Sequence, residues 1–463
     1  MFEPIRKTLR DREMMRTIFA LAGPTVMENA LQTVVSYADT AQVGAIGAQA
    51  SASVGLTATM LWLIHAPISA MGMAVLSCIS RARGANDLDR ARRTVVQAAI
   101  FVLILGAAVA ALTLSISPFL PKWLGAAEEI QKSASTYFAI VCMPMLFRAS
   151  SIIFAAVLRA SGNTKTPMFI NTGMNFVNIT LNFLFINPTR AAVIFGRSVT
   201  IWGAGLGVTG AAIATAIAYV LGGTAMFLCV YLSPVLGLRG QKLRLDREIM
   251  RDCVRIGSPI AAAHAGSHLG QVVFTALIAR LGTIAIAAHS IAITAEQAFY
   301  VPGYGMQAAA ATLAGHSAGA KDREKLMQYS STITFIAACL MGTMAVFLFL
   351  FPHLMMGLFT PDAEVIALGA KVLRIVAVSE PFYAILIILE GTFHGVGETK
   401  IPFVVSIVSM WGVRILLSWI CVAFLHLGLT AVWVCMVADN LTRFACLLIV
   451  YRRGNWYRRL GLE

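Results

Sequence analysis

Charged residues are scarce in this chain of 463 residues. Asp, Glu, Lys and Arg together form 13% of the sequence, hydrophobic residues form 58%, and the mean hydropathy is +0.77. Soluble domains carry about 25% charged residues. The composition therefore excludes an ordinary soluble domain and predicts a membrane protein that crosses the bilayer many times.

Motifs for catalysis and metal binding are also missing. The eight cysteines show no CxxC spacing, which excludes a zinc-ribbon site and predicts small buried hydrophobes. The chain has no HExxH, no GxSxG, no P-loop and no DxxxD of membrane prenyl-transferring enzymes. We expect no cofactor and no direct use of ATP. A membrane-embedded enzyme is a remote alternative.

The net charge of +14 does not predict nucleic-acid binding, because the basic residues lie in short loops between apolar stretches and form no basic face with stacking aromatics. Most Lys and Arg residues fall in the N-terminal segment and in every second loop after it. This asymmetry predicts a multi-pass protein of the cytoplasmic membrane with both termini in the cytoplasm. The first apolar run is too long for a signal-peptide core and lacks a cleavage site, so we expect it to stay as a helix.

Charged or Gly/Pro-rich breaks divide the chain into twelve apolar spans, each long enough to cross roughly 30 Å of hydrocarbon. The spans cover residues 17-43, 50-80, 94-116, 133-158, 166-187, 203-232, 256-279, 284-315, 328-351, 366-393, 401-425 and 428-451. After the fifth span, the first half carries an insertion, NPTRAAVIFGRSVTI, which we interpret as an external loop.

The chain repeats itself at an offset of 235 residues, which aligns Pro24 with Pro259 and the segment SGNTKTP with VGETKIP. Each copy holds six spans, an even number, so both copies enter the membrane from the same side. We therefore predict an all-α polytopic fold of twelve transmembrane helices in two six-helix bundles related by a parallel repeat. The predicted domains are an N-terminal lobe (1-232), a basic cytoplasmic connector (233-255) and a C-terminal lobe (256-463).

One carboxylate stands out within the first span. Asp39 has no cationic neighbour in sequence, and a charge at membrane depth costs about 3 kcal/mol on insertion scales, so it is a candidate functional residue. The repeat aligns Asp39 with Phe274, so the C-terminal lobe has no counterpart. The alternative is that Asp39 only caps the helix end before Gly44 and Gly47.

Asn178 and Asn182 are spaced i, i+4 and share one face of the fifth span, with Asn175 one turn earlier. A carboxylate with amide and hydroxyl oxygens suits a small hard cation or a relayed proton. The alternative is that these side chains only bond helices together. On the twelfth span, Asp439 and Arg443 are also i, i+4, which predicts an internal ion pair.

Several longer segments resemble the multidrug and toxic compound extrusion (MATE) family over essentially the whole chain. They are GPTVMENALQTVVSYADTAQVGAIG, VLRASGNTKTP, GVTGAAIATAIA, AAHSIAITAEQAFYVPGYGMQAAAATLAGHSAGA and GTFHGVGETKIP. The resemblance implies a secondary active antiporter that exports amphiphilic or cationic small molecules in exchange for H⁺ or Na⁺, by alternating access around a central cavity. A lipid-linked saccharide flippase of the same superfamily is the alternative, which a cavity rich in Arg and Lys would favour.

The resemblance also implies which residues act. In the DinF-like branch of the family, an aspartate of the first helix works with polar residues of the fifth and sixth. These ion- or proton-coupling residues correspond here to Asp39, Gln32, Asn178, Asn182 and Thr215, with a possible Na⁺ at Asp39. The NorM-like branch uses acids at positions that hold Ser267 and Tyr383 in this chain, which places the chain nearer the DinF-like branch.

We expect a cationic substrate to contact acids of the C-terminal lobe. Glu296 precedes the helix-breaking Pro302, and Glu380 directly precedes Pro381. The predicted substrate-binding residues are Glu296, Glu380, Met27, Phe154, Phe299, Tyr300 and Met306. The expected partners are a small-molecule substrate and the lipid bilayer, with no nucleic acid, and we expect a monomer.

Overall fold

Long helices form most of the chain in a computed structural model, which describes residues 11–194, 197–458 and 461. Four of the basic residues on which the predicted orientation rests lie outside the described residues: Arg6, Lys7, Arg10 and Arg459. The helices of the first half are α1 (Arg12–Gly44), α2 (Ala48–Gly84), α3 (Leu88–Ile116), α4 (Leu120–Trp123), α5 (Glu128–Cys142), α6 (Met145–Ala160), α7 (Lys165–Ile186) and α8 (Gly207–Tyr231).

The second half continues the same pattern. Its helices are α9 (Arg247–Ala279), α10 (Thr283–Gly319), α11 (Arg323–Leu350), α12 (Pro352–Gly357), α13 (Ala363–Val396), α14 (Lys400–Ser409), α15 (Leu416–Ala423), α16 (Leu429–Arg453) and α17 (Asn455–Arg458). Each predicted span falls on one helix or on consecutive helices, with ends shifted by a few residues. Helix α9 begins within the predicted connector, because Asp246 accepts hydrogen bonds from the N–H groups of Glu248 and Ile249 at 3.1 and 3.3 Å.

Nine helical segments of the described chain are long and apolar enough to cross a membrane, with α14 to α15 (Lys400–Ala423) counted as one, and the bent pair α5 and α6 brings the number to ten. Helices α1 and α9 are equally long but carry more polar residues, such as Asp39 in α1 and His264 in α9. These polar positions lower the hydropathy of the two helices.

Two predicted spans are not continuous α-helices. The fourth bends by 48° between α5 and α6, where Pro144 has no N–H to donate to the preceding turn. The eleventh contains a π-helical turn, Met410–Ile415, between α14 and α15. Such turns occur frequently at functional sites, and this one carries Arg414.

The inserted segment before α8, which we interpreted as an external loop, has secondary structure of its own. It forms two antiparallel strands, β1 (Pro188–Ile194) and β2 (Arg197–Ala204). The segment contains Val, Ile, Thr and Trp, which favour strands, and pairing satisfies backbone groups that an irregular loop leaves open. This short hairpin is an addition to the predicted all-α fold of membrane spans.

Corresponding turns of the two repeats have the same backbone conformation. Gly162 and Gly397, which the repeat aligns, have φ of 86° and 88°. Asn86 and Lys321, also aligned, have φ of 57° and 54° although both carry a side chain. Left-handed conformations are costly for residues with a Cβ, so the shared values reflect a shared turn rather than coincidence.

The chain divides into two compact units. The larger unit comprises Met1–Ala30, Leu76–Ala91 and Asp252–Glu463, and the smaller unit comprises Leu31–Val75 and Arg92–Arg251. The division passes through α1 and α2, so each of these helices contributes to both units. It differs from the predicted lobes, which leave both helices whole.

Candidate functional site

Asp39 lies in the smaller unit, in the last two turns of α1, where its carboxylate meets α7. Its Oδ1 accepts a hydrogen bond of 2.8 Å from Nδ2 of Asn182. With its amide nitrogen turned toward the carboxylate, Asn178 donates to Oδ1 at 2.9 Å and to Oδ2 at 3.0 Å. This orientation is assigned from the hydrogen-bond network, since the opposite one faces the carboxylate with an oxygen. Two amides one turn apart therefore hold the carboxylate.

Thr215 connects this pair to α8. In the same orientation, the Asn178 oxygen accepts from the Thr215 hydroxyl at 3.2 Å. The hydroxyl also lies 3.0 Å from the backbone oxygen of Ala211. We call Asp39, Asn178, Asn182 and Thr215 the Asp39 cluster. The structure brings these four predicted residues together from α1, α7 and α8.

The Asp39 cluster keeps one open acceptor. Asn182 is buried, and its Oδ1 has no hydrogen-bond donor among the described residues. Carboxylate and amide oxygens are hard ligands suited to Na⁺ or to a bound proton. Across the described part of the chain, no group of three His, Cys, Asp or Glu side chains forms a site for a metal ion.

Gln32 is not part of this cluster. Its Oε1 accepts a hydrogen bond of 2.9 Å from Nδ2 of Asn175, and Gln32 itself is exposed. Seven residues separate it from Asp39, or about 10 Å along a helix at 1.5 Å per residue. The structure thus places Gln32 and Asn175 as a separate amide pair between α1 and α7.

Tyr137 of α5 lies near the cluster but was not predicted from the sequence. It is buried with Val43 and Ile186 in one hydrophobic cluster and interacts electrostatically with Asp39 and Tyr219. A lone Tyr in an apolar span gave no periodic signal. The available clue was chemical, because a buried Tyr hydroxyl usually has a polar partner.

A second group of charges lies in the larger unit. Arg443 donates to both oxygens of Asp439 at 2.9 and 2.8 Å, which confirms the predicted ion pair. Arg414 donates to Asp439 at 2.8 Å and to Asn440 at 3.1 Å. The sequence analysis did not predict Arg414 as a partner, because it follows from the π-helical turn. The fully buried carboxylate of Asp439 is therefore paired with two guanidinium groups.

Glu296 and Glu380 are buried near this group. Glu296 of α10 interacts electrostatically with Arg414, and Glu380 of α13 interacts with Glu296. Within the described chain, Oε2 of Glu380 has no hydrogen-bond partner. The two acids predicted to contact substrate thus lie in the same electrostatic environment, which Arg414 partly neutralises.

The predicted substrate-lining residues differ in exposure. Met27 is 55% exposed, whereas Phe154 and Met306 are 1% and 3% exposed. Phe299 is buried and stacks on Phe347 with ring centroids 6.3 Å apart. Their role as lining residues stays a prediction.

Hydroxyl groups occupy the two positions that hold acids in the NorM-like branch. The hydroxyl oxygens of Tyr383 and Tyr304 lie 3.0 Å apart, and Tyr300 packs edge-on against both rings. Ser267 Oγ lies 3.4 Å from Ser406 Oγ. Neither position carries a carboxylate for ion coupling.

The MatE family model matches the chain twice, over residues 24–184 and 259–420. The two matches begin at Pro24 and Pro259, the residues that the internal repeat aligns. The chain belongs to the MatE family. This is a family of membrane transporters, so the predictions of a transporter and of no enzymatic activity are confirmed.

Several MatE-type relatives match almost the whole chain. The probable multidrug resistance protein NorM of Thermotoga maritima is 26% identical over 97% of this chain and 95% of its own length. The uncharacterized transporter YisQ of Bacillus subtilis is 25% identical over 96% and 95%. The NorM names give no support to the placement in the DinF-like branch.

Solved structures show the same fold. A crystal structure of MATE in complex with MaL6 has a TM-score of 0.87 at 23% identity and covers 96% of this chain and 97% of its own. A MOP superfamily transporter from Pyrococcus furiosus has a TM-score of 0.85 at 23% identity, with 94% and 95% covered. The chain therefore has the MATE fold, and the predicted multi-span helical fold is confirmed.

Proposed function

We propose that this MatE-family protein is a secondary active antiporter that exports amphiphilic or cationic small molecules in exchange for H⁺ or Na⁺. The observation that carries the proposal is the Asp39 cluster. A carboxylate within the membrane is costly unless it is paired or used, and the hydrogen-bond donors to Asp39 from α7 are the neutral amides of Asn178 and Asn182. The relatives named as multidrug resistance proteins support the substrate class.

Asn178 offers a way for the cluster to respond to a proton. With Asp39 ionised, the Asn178 nitrogen faces the carboxylate and its oxygen faces Thr215. With Asp39 protonated, the oxygen of the reversed amide accepts a hydrogen bond from the carboxylic acid, and its nitrogen donates to the Thr215 hydroxyl at 3.2 Å. Protonation on α1 thereby changes the hydrogen bond to α8. Coupling further requires that the ion bind two arrangements of the protein with different affinity.

Substrate contact belongs to the larger unit in this proposal. Glu296 and Glu380 are buried carboxylates in the half of the chain that lacks a counterpart of Asp39. A cationic substrate that reaches them recovers part of its lost hydration through charge pairing. The hydroxyls at Ser267 and Tyr383, together with Asp39, favour the DinF-like arrangement. In this arrangement the lobe 1-232 binds the coupling ion, the lobe 256-463 contacts the substrate, and the connector 233-255 joins the two lobes.

Contacts within the larger unit supply a closed side for alternating access. The Thr25 hydroxyl of α1 donates to the backbone oxygen of Gly305 at 2.8 Å, and Ser77 of α2 donates to that of Gly395 at 2.9 Å. Thr25 and Ser77 belong to the predicted N-terminal lobe, and their acceptors to the C-terminal lobe. With both termini in the cytoplasm, this packing closes the cytoplasmic side.

The test is gradient-driven transport of a fluorescent cation in proteoliposomes, with ΔpH and ΔNa⁺ imposed separately. We expect Asp39→Asn to abolish transport driven by the coupling ion, because the amide neither binds a proton nor carries a charge. Glu129→Gln also replaces a carboxylate with an amide, at an exposed acid of the smaller unit, and should leave transport intact. Gradient-driven transport at the wild-type rate by Asp39→Asn would refute the coupling role.

A further inference from the structure

A cavity of about 420 Å³ lies in the larger unit, where the end of α2, the first turns of α9 and the loop between α13 and α14 meet. Three cations line it: Arg81, Arg255 and Lys400. The proposed ion coupling uses none of them. The volume is within the range of small-ligand sites.

The cations of this cavity lack carboxylate partners. Asp252 and Glu398 also line it, but Asp252 already pairs with Arg90 at 2.9 Å. Among the described residues, no carboxylate oxygen lies within ion-pair distance of Arg81, Arg255 or Lys400. Three cations face two carboxylates, one of which pairs with Arg90, so the lining keeps a net positive charge around the open volume.

Arg81 is held in place by the backbone. A Cβ on Gly397 would lie 3.1 Å from the Arg81 Cζ, so the guanidinium packs directly on this glycine, whose φ is 88°. Within the described chain, Nε of Arg81 is buried without a partner, and Nη2 meets only the weak acceptor Sγ of Cys78 at 3.8 Å. The planar fork of a guanidinium suits a tetrahedral anion with several oxygens.

The start of α14 adds to the positive potential. Thr399 is the residue before its first turn, lines the cavity and makes no side-chain capping bond. The first N–H groups of a helix have no partner within the helix, and the helix dipole favours an anion there.

We propose that this cavity binds a phosphate group, supplied by the headgroup of an anionic phospholipid or by free phosphate. Basic pockets at the cytoplasmic ends of membrane helices bind lipid headgroups, and the predicted orientation places this cavity on that side. The bound group would connect Arg81 of α2 with Arg255 of α9 and Lys400 of α14. Its occupancy would therefore stabilise the packing of α2 within the larger unit.

The internal repeat provides a control. Lys400 in VGETKIP aligns with Lys165 in SGNTKTP, whereas the positions aligned with Arg81 and Arg255 hold His316 and Ala20. The repeat-related positions thus keep the lysine but neither of the two arginines. Lys165→Gln removes one exposed cation from the same motif without touching the cavity.

The experiment measures the Tm of the full-length protein in neutral detergent against added phosphatidylglycerol, phosphatidylcholine or inorganic phosphate. We expect a saturable rise with phosphatidylglycerol that phosphatidylcholine does not produce. The exposed cations permit a double variant, Arg255→Gln with Lys400→Gln, that should need about tenfold or more lipid for the same rise, since each cation contributes about 1 kcal/mol. Lys165→Gln should titrate as the wild type does.

The outcomes separate the sources and decide the proposal. A rise with phosphatidylglycerol alone assigns the site to lipid, and an equal rise with inorganic phosphate assigns it to the free anion. Arg81→Lys, which keeps the charge, should fold and show a weaker response because its ammonium lacks the fork. Equal titration of the wild type and the double variant with both additives, or no rise with either, would overturn the site.

Discussion

At the residue scale, Asn182 sets the charge of the proposed coupling site. Its amide nitrogen lies 2.8 Å from the Asp39 carboxylate. An amide leaves the cluster with one negative charge at most. Two carboxylates at that separation repel each other unless a cation or a proton lies between them. If the cluster couples transport as proposed, the residue at this position therefore affects which ion it prefers.

We expect Asn182→Asp to make transport more dependent on Na⁺ at fixed pH, because a second carboxylate raises the attraction of the cluster for a cation. The measurement is the initial rate of efflux from proteoliposomes as a function of external Na⁺ at one pH. Asn175→Asp is the matched control, since Asn175 lies on the same helix but bonds Gln32 rather than Asp39. Identical Na⁺ curves for the wild type and both variants would show that Asn182 does not tune the ion.

The limits of sequence reasoning are visible at this scale. Asn178, Asn182 and Asp39 were predicted together because the i, i+4 spacing and the family resemblance both pointed to them. Tyr137 and Arg414 were not, since a single Tyr in an apolar helix has no periodic signal and a π-helical turn has no sequence signature that a spacing rule detects. Local patterns indicate which residues share a helix face, whereas tertiary packing decides which faces meet.

At the element scale, helix contacts in the larger unit depend on glycine. Gly84 ends α2 so close to α10 that an added Cβ would lie 2.0 Å from the backbone oxygen of His316. Gly319 of α10 makes the reciprocal contact, with an added Cβ 2.0 Å from the backbone oxygen of Arg81. The obstructing atoms are backbone atoms, so no rotamer change relieves the clash. Small residues of this kind let membrane helices approach closely.

Gly84→Ala is therefore expected to destabilise the protein by about 1–3 kcal/mol, the usual range for overpacking. Gly72→Ala in the same helix is the control, because its Cβ would meet the Ile152 side chain at an ordinary 3.4 Å. The measurement is the Tm of both variants in the same detergent. A Tm for Gly84→Ala that matches that of Gly72→Ala would contradict the close approach of α2 and α10.

The elements also show why some boundaries could be predicted. Spans ended where Gly, Asn or charged residues interrupted the apolar pattern, and the helices end there too. The two-stranded segment Pro188–Ile194 with Arg197–Ala204 escaped prediction because each strand is short and its pairing depends on the other. The bend at Pro144 was visible as a proline, but its angle depends on packing.

At the scale of the whole molecule, two native cysteines report on the closed packing. Sγ of Cys78 in α2 lies 3.6 Å from Sγ of Cys253 in α9, close enough for mild oxidation to join them with a small shift. Cys78 belongs to the predicted N-terminal lobe and Cys253 to the connector that leads into the C-terminal lobe. If transport requires the end of α2 to leave α9, a covalent link between them must stop it.

We expect oxidation to abolish efflux and a thiol reductant to restore it. Mass spectrometry of the disulfide-linked peptides that contain Cys78 and Cys253 identifies the link. Cys78→Ser should transport equally well before and after oxidation. This variant retains Cys421 and Cys435, whose sulfur atoms lie 3.8 Å apart, and so controls for oxidation elsewhere. Undiminished efflux by the fully cross-linked protein would show that this packing does not open during the cycle.

The shared turns at Gly162 and Gly397, and at Asn86 and Lys321, have an evolutionary consequence. One family model matches both halves, so the turns descend from an ancestral six-helix chain that was duplicated and fused. The two copies now differ in their ionisable residues, since Asp39 of the first half aligns with Phe274 of the second. The two halves thus keep common turns while each carries its own ionisable residues, Asp39 in the first half and Glu296 and Glu380 in the second.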